Sequence, residues 1–238
     1  MKFLLTLGLI ALLAGPVLAA DQVQVQQEQK DYRITMQPRV PGACDVGNLN
    51  EAVYNYGNWI MGGEKYAYLV DPAAEGCGCD EGFRLDRVSM MMQFGTEDAP
   101  VTFDAYGSLT EALWDDAASK YVPGEPYCSG PTWSITADQP GLYDIYVDLD
   151  GGCECAALTE PYFVMLTLPN EFVWWPDAME DDDPRTGVCY YDSGTGWSDL
   201  VADFGWWGNN IMHGEVTCCT DPVATDSLPL DGLKALYR

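Results

Sequence analysis

The sequence predicts an all-β protein: an antiparallel β-sandwich, jelly-roll-like in character and stapled by disulfides. Three observations carry the prediction. Apolar residues recur with a period of two in short runs rich in Val, Tyr, Trp and Phe. The 24 glycines and 15 prolines are scattered between those runs, where they mark turns. Nine cysteines follow a hydrophobic leader, which puts the mature chain where thiols pair. A parallel α/β sheet would need crossover helices that this pattern does not contain.

The leader is Met1-Lys2, an apolar run from Phe3 to Leu13, the breaker Gly15-Pro16, and then Ala19 and Ala20. That order of charge, apolar core and small-residue exit is what a signal peptidase reads, so residues 1–20 are expected to be removed. Residues 21–43 form a Gln-rich arm in which Val23 and Val25 alternate with polar neighbours. Such an arm suits a flexible lead or an added edge strand, on this sheet or on a second copy. Residues 44–219 make one sandwich domain, and residues 220–238 a tail carrying Lys234 and Arg238 that suits docking or anchoring. No later apolar stretch approaches the roughly 18 residues that cross a bilayer. The expected location is secreted, extracellular or at the cell surface.

Along the domain the period-two runs are Val53 to Ile60, Lys65 to Val70, Phe83 to Phe94, Val101 to Tyr106, Thr132 to Ala137 and Leu142 to Leu149, followed by Tyr162 to Leu168, Phe172 to Trp175, Gly187 to Tyr191, Gly196 to Phe204 and Asn210 to Cys219. In Leu142 to Leu149, Tyr143, Ile145, Val147 and Leu149 make one face, while Asp144, Tyr146 and Asp148 make the other, as in a half-buried antiparallel strand. Within Phe83 to Phe94 the apolar parity changes between Leu85 and Val88, which predicts a bulge or bend. Tyr162 to Leu168 is apolar on both faces and reads as a central strand. One helical signal interrupts: Ser108 stands three residues before Glu111 like a capping box, with Leu109, Ala112 and Leu113 at helical spacing.

The cysteines are Cys44, Cys77, Cys79, Cys128, Cys153, Cys155, Cys189, Cys218 and Cys219. Eight of them make four bridges and one thiol is left over, with about 9 × 105 connectivities open. In Cys77/Cys79 and Cys153/Cys155 the side chains at i and i+2 of an extended chain point the same way about 6.5 Å apart, too far to bridge. Each pair therefore reaches two different partners. The vicinal Cys218 and Cys219 would face opposite sides of a strand. A thiolate metal site lacks both Cys-x-x-Cys spacing and a nearby histidine.

Removing the leader leaves 10 basic against 37 acidic side chains. Such a charge repels nucleic acid, whose binding draws on counterion release, and it disfavours anionic lipid. It admits cations, so no cofactor is required but calcium is a possible ligand. The weak candidates are Asp148 and Asp150, which begin an EF-hand-like loop that then fails at Gly152 and Cys153, and Asp181 and Asp182 in the acidic run from Glu180 to Asp183.

A single histidine, His213, excludes the usual zinc centres, and no Gly-x-Ser-x-Gly elbow exists. With Met212, Val216 and Cys218 inward, His213 and Glu215 point out together. The surviving catalytic reading is a carboxylate-dependent glycoside hydrolase, with Asp115-Asp116 and Glu180 to Asp183 as its densest acids. Eight tryptophans point instead to recognition. In the adjacent pairs Trp174-Trp175 and Trp206-Trp207, one ring of each must leave the core, free to stack on a sugar or a protein partner.

The runs from Pro123-Gly through Gly141-Leu-Tyr-Asp-Ile-Tyr-Val147 to Pro161-Tyr-Phe-Val-Met-Leu166 resemble secreted bacterial jelly-roll domains. Those domains are often carbohydrate-binding or adhesive. Gly187-Val-Cys-Tyr-Tyr-Asp-Ser-Gly-Thr-Gly-Trp197 and the end Gly232-Leu-Lys-Ala-Leu-Tyr-Arg238 resemble Cys-rich exported proteins of environmental bacterial genomes. The resemblance brings no functional residues with it. The sequence thus favours a non-catalytic binding or structural module of the cell exterior, with carbohydrate or an extracellular protein as partner.

Overall fold

The computed structural model describes residues 43–151, 153–157, 160–170 and 176–219, and the backbone of residues 22–24. The leader, the rest of the arm, the Phe172 to Trp175 run and the tail lie outside the described residues.

Two antiparallel sheets face each other. The first is ordered β1 (Gln22–Gln24), β3 (Tyr54–Tyr56), β11 (Asp177–Glu180), β5 (Phe83–Phe94), β14 (Met212–Cys218) and β2 (Ala43–Gly47), with β9 (Gly141–Asp148) on the other edge of β5. The second is ordered β13 (Ser198–Asp199), β12 (Cys189–Asp192), β4 (Lys65–Val70), β10 (Tyr162–Thr167), β6 (Val101–Asp115) and β7 (Lys120–Ser129); β8 (Trp133–Ala137) pairs with the start of β6. Inner-face residues alternate along each strand. Val46, Leu85, Val88, Met90, Ile145 and Val216 of the first sheet share one core with Tyr66, Tyr68, Leu109, Val164 and Leu166 of the second.

Several strands follow the sequence pattern closely. In β9, Tyr143, Ile145 and Val147 are buried while Asp144, Tyr146 and Asp148 are half-buried on the opposite face. The parity change in β5 is a bulge: Val216 opposes Leu85 and Glu215 opposes Arg87, so Asp86 is the extra residue. β10 lies between β4 and β6, and every residue after Tyr162 is buried.

Two predicted elements change type. Ser108 to Leu113 continues β6 as strand, because β10 on one side and β7 on the other take up its backbone hydrogen bonds. The Gly196 to Phe204 run gives two strand residues and then α1 (Leu200–Phe204). Asp199 accepts from the N–H groups of Val201 and Ala202, and Gly205 closes the helix at φ 71°, a left-handed value that favours glycine. Strands β2 and β11 and the proline-bearing β7 were not predicted, and Val53 to Ile60 shrinks to Tyr54–Tyr56.

The β6–β7 hairpin bends twice, with register shifts between Leu109 and Thr110 and between Thr110 and Ala112. Its tip folds over the outer face of the second sheet. There Ala112, Tyr121 and Val122 cover a small apolar cluster of Ala67, Phe163, Met165 and Tyr190. The Tyr190 hydroxyl donates to the Tyr121 carbonyl at 2.6 Å, and Lys120 Nζ reaches Asp199 Oδ2 at 2.9 Å.

Four disulfides staple the sandwich: Cys44–Cys77, Cys79–Cys218, Cys128–Cys153 and Cys155–Cys219. Each Cys-x-Cys pair reaches two partners, and the vicinal cysteines go to different loops. Cys189 is the free thiol, buried, and burial pushes its titration far above the ordinary range. Bridges of this number form and persist in an oxidising compartment. Among the described residues no helix is long and apolar enough to cross a membrane.

Two measurements check this packing. A Cβ on Gly214 would meet Leu85 Cδ1 at 2.7 Å and Val164 Cγ1 at 2.8 Å, side chains of both sheets. Gly214→Val is expected to lower the free energy of unfolding by about 1–3 kcal/mol in a chemical denaturation curve; an unchanged midpoint would show that the sheets do not meet there. Alkylation of the unfolded, unreduced protein should add one label, at Cys189, and additional labels would contradict the pairing.

Candidate functional site

The aromatic side chains gather at one end of the sandwich. Tyr54 and Tyr56 come from β3, Trp59 from the turn that follows it, Tyr66 from β4 and Tyr191 from β12. α1 and its exit deliver Phe204, Trp206 and Trp207. Trp206 is 2% exposed and stacks on Tyr56 at 4.4 Å, so its face is taken by the core. As a sugar platform Trp206 is therefore excluded, since an open ring face is needed. Trp207 is 54% exposed, with the Tyr54 ring edge-on to it at 5.6 Å. Phe204 is 43% exposed and meets Trp59 edge-on at 5.1 Å. Half-buried Trp59 is further wedged by Tyr56 at 4.9 Å, Trp206 at 5.2 Å and Tyr191 at 5.3 Å. Phe204 thus rests on the wedged Trp59 ring, while Trp207 packs against the half-buried Tyr54 ring of β3.

Beneath these rings lies Glu64, which sequence reading missed because one acid among 37 carries no signal. It is buried, and it accepts from the Tyr66 hydroxyl, from the Tyr191 hydroxyl at 2.8 Å and from the Met61 N–H at 2.7 Å. Burial pushes its carboxyl above the ordinary range, against the pull of those three donors. Burial and the Glu64 carboxylate together push the Tyr191 hydroxyl up to about 12.

The other predicted positions do not converge. Trp174 and Trp175 lie outside the described residues. Asp148 is held by Arg87 Nε at 2.6 Å, and Asp150 sits in the turn after β9 at φ 50°. Asp181 is wholly buried and accepts from Asn50 Nδ2 at 2.8 Å, Asn209 N at 2.8 Å and Asp183 N at 3.1 Å, while Asp182 is exposed. Asp181 therefore works as a loop knot, and among the described residues no three His, Cys, Asp or Glu side chains form a metal-holding group. Asp115 ties the hairpin turn by accepting from Ala117 N and Ala118 N, and Asp116 accepts from Trp114 Nε1.

A polar cluster on the outer face of the first sheet also escaped the sequence. His213 and Glu215 do share that face, but Glu215 is buried and His213 half-buried. The β5 ladder places Ser89 beside His213 and Arg87 beside Glu215, with Asp144, Tyr146 and Asp148 on β9. Burial raises the Asp144 carboxyl, and His213, the Ser89 hydroxyl and Arg87 pull it back down. Ser89 is 3% exposed, which shuts a nucleophile away from substrate.

Glu64 makes a pH prediction. Its folded value lies above the ordinary 4.5, so its contribution to stability is fully present below that value and is lost as pH rises through the folded one. The stability of the parent relative to Glu64→Gln should therefore fall as pH is raised from about 4 to about 7. Denaturant midpoints measured across that range read the difference directly, and a constant difference would mean that the carboxyl is not strained by burial.

No family model and no curated protein matches the sequence. A solved structure with some likeness is that of the cysteine protease and lectin-like domains of Cwp84, a surface layer associated protein of Clostridium difficile, at 9% identity and a TM-score of 0.47, covering 77% of this chain and 37% of that one.

Proposed function

We propose that the protein is a secreted, non-catalytic carbohydrate-binding module of the cell exterior, with Trp207 and Phe204 as its stacking surface. The observation that carries this is a pair of exposed rings on neighbouring turns of chain, Phe204 set edge-on against the wedged Trp59 and Trp207 edge-on against Tyr54. Rigid, amphipathic rings present large contact area at low conformational cost, which is what a sugar face needs. A net charge of −26 favours neutral or cationic glycans over anionic ones. The acids that a glycosidase reading would use are engaged elsewhere: Asp115 and Asp116 in the hairpin turn, Asp181 in its knot.

Affinity electrophoresis in gels containing neutral polysaccharides tests the reading. The parent should be retarded by at least one of them. Trp207→Ala should lose affinity about tenfold, the equivalent of about 1.4 kcal/mol, with an unchanged unfolding midpoint because the ring is exposed. Retardation that survives the loss of both Trp207 and Phe204 would rule this surface out. Reducing-sugar release that disappears on replacing a single acid would establish the hydrolase instead.

A further inference from the structure

The aromatic platform hangs on the tip of a hairpin from another part of the chain. Lys120, at the start of β7, donates from Nζ to Asp199 Oδ2 at 2.9 Å, and its ammonium sits 5.4 Å from the centre of the Tyr190 ring. Asp199 is 1% exposed. The same carboxylate oxygen accepts from Gly187 N at 2.6 Å, while Oδ1 accepts from Val201 N at 3.1 Å and Ala202 N at 3.0 Å. Asp199 N donates to Asp203 Oδ2 at 2.7 Å. One side chain therefore both receives the strap and starts α1.

α1 has five residues and could not persist alone. It is held by Asp199 at its start, by wholly buried Leu200, and by Gly205, whose N–H donates to the Val201 carbonyl at 3.0 Å. Its last residue is Phe204, and Trp206 and Trp207 follow at once. The Trp206 N–H still donates to the Leu200 carbonyl, at 3.3 Å. One helical turn thus separates Asp199 from Phe204 and the two tryptophans.

We propose that Lys120 is a positioning residue for the aromatic platform, and that the β6–β7 hairpin is a strap whose closure over the second sheet sets the platform's geometry. This rests on the binding reading of Trp207 and Phe204 and adds its regulation. With the strap closed, Lys120 neutralises a buried carboxylate. With the strap lifted, that carboxylate stays buried with neutral donors alone, an unfavourable state that the chain relieves by drawing Asp199 toward water. The N-terminus of α1 moves with it. The strap and the platform thus share one two-state element, so a partner that lifts the hairpin weakens carbohydrate binding, and a bound carbohydrate resists lifting.

Amide hydrogen exchange on the full chain, comparing the parent with Lys120→Met and Lys120→Arg, tests this. In Lys120→Met, exchange should quicken at least tenfold in residues 198–207 and 111–123, while β5 and β10 keep parental protection. Lys120→Arg should restore it. Polysaccharide retardation should weaken in Lys120→Met and recover in Lys120→Arg. If 111–123 loosens while 198–207 stays protected, strap and platform are independent and the proposal fails. It fails equally if β5 loosens as much as the platform, since Lys120 would then be a general stabiliser. A parent that binds no polysaccharide overturns the binding reading alone, because the exchange pattern still decides the coupling.

Discussion

The aromatic end of this molecule is organised around one buried carboxylate. Asp199 takes a lysine from the hairpin, a backbone N–H from the turn before β12 and two more from α1, so the hairpin and the turn meet the start of the helix at its two oxygens. Burying a charge is costly unless it is paired and hydrogen-bonded, and removing one partner of such a pair costs about 3–5 kcal/mol. That asymmetry makes the junction specific. The strap, the sheet edge and the helix start are each fixed because the carboxylate tolerates no arrangement that leaves it short of donors.

The sandwich has two differently built ends. β14 begins beside the Trp206–Trp207 turn and runs, over its seven residues, about 20 Å to Cys218. At that far end Cys44–Cys77, Cys79–Cys218 and Cys155–Cys219 cluster on the first sheet, and Cys128–Cys153 anchors β7 to the loop after β9. The aromatic end contains no bridge. It is held by ring packing, the Glu64 hydrogen bonds and the Asp199 junction, all of which break and reform without chemistry. Covalent staples therefore hold the frame while weaker bonds hold the surface that meets solvent.

What could be read in the sequence was what short-range geometry dictates. Period-two alternation gave the faces of β9, and the parity break between Leu85 and Val88 signalled a bulge or bend in β5, which the register locates at Asp86. The reach of i and i+2 side chains split both Cys-x-Cys pairs. Errors came where tertiary pairing overrides a local signal. Ser108 and Glu111 have capping-box spacing, yet two flanking strands claim their backbone. β7 carries Pro123 and Pro126, which argue against a strand unless it lies at an edge with bulges, as this one does. α1 had a readable signature in Asp199 and Gly205, but five residues between them are too few for helical periodicity to show. Of the site, the sequence showed that one ring of Trp206-Trp207 must face out without showing which. Glu64 and Lys120 were invisible, because their roles come from residues 127 and 79 positions away.

The most direct measurement follows the indole N–H resonances of the eight tryptophans during titration with a neutral oligosaccharide. Trp207 is expected to shift most, and Trp59 to respond where the sugar meets its neighbour Phe204, whereas Trp114 and Trp133, exposed elsewhere on the surface, stay in place. Shifts confined to Trp114 or Trp133, with Trp207 unmoved at saturating ligand, would contradict it.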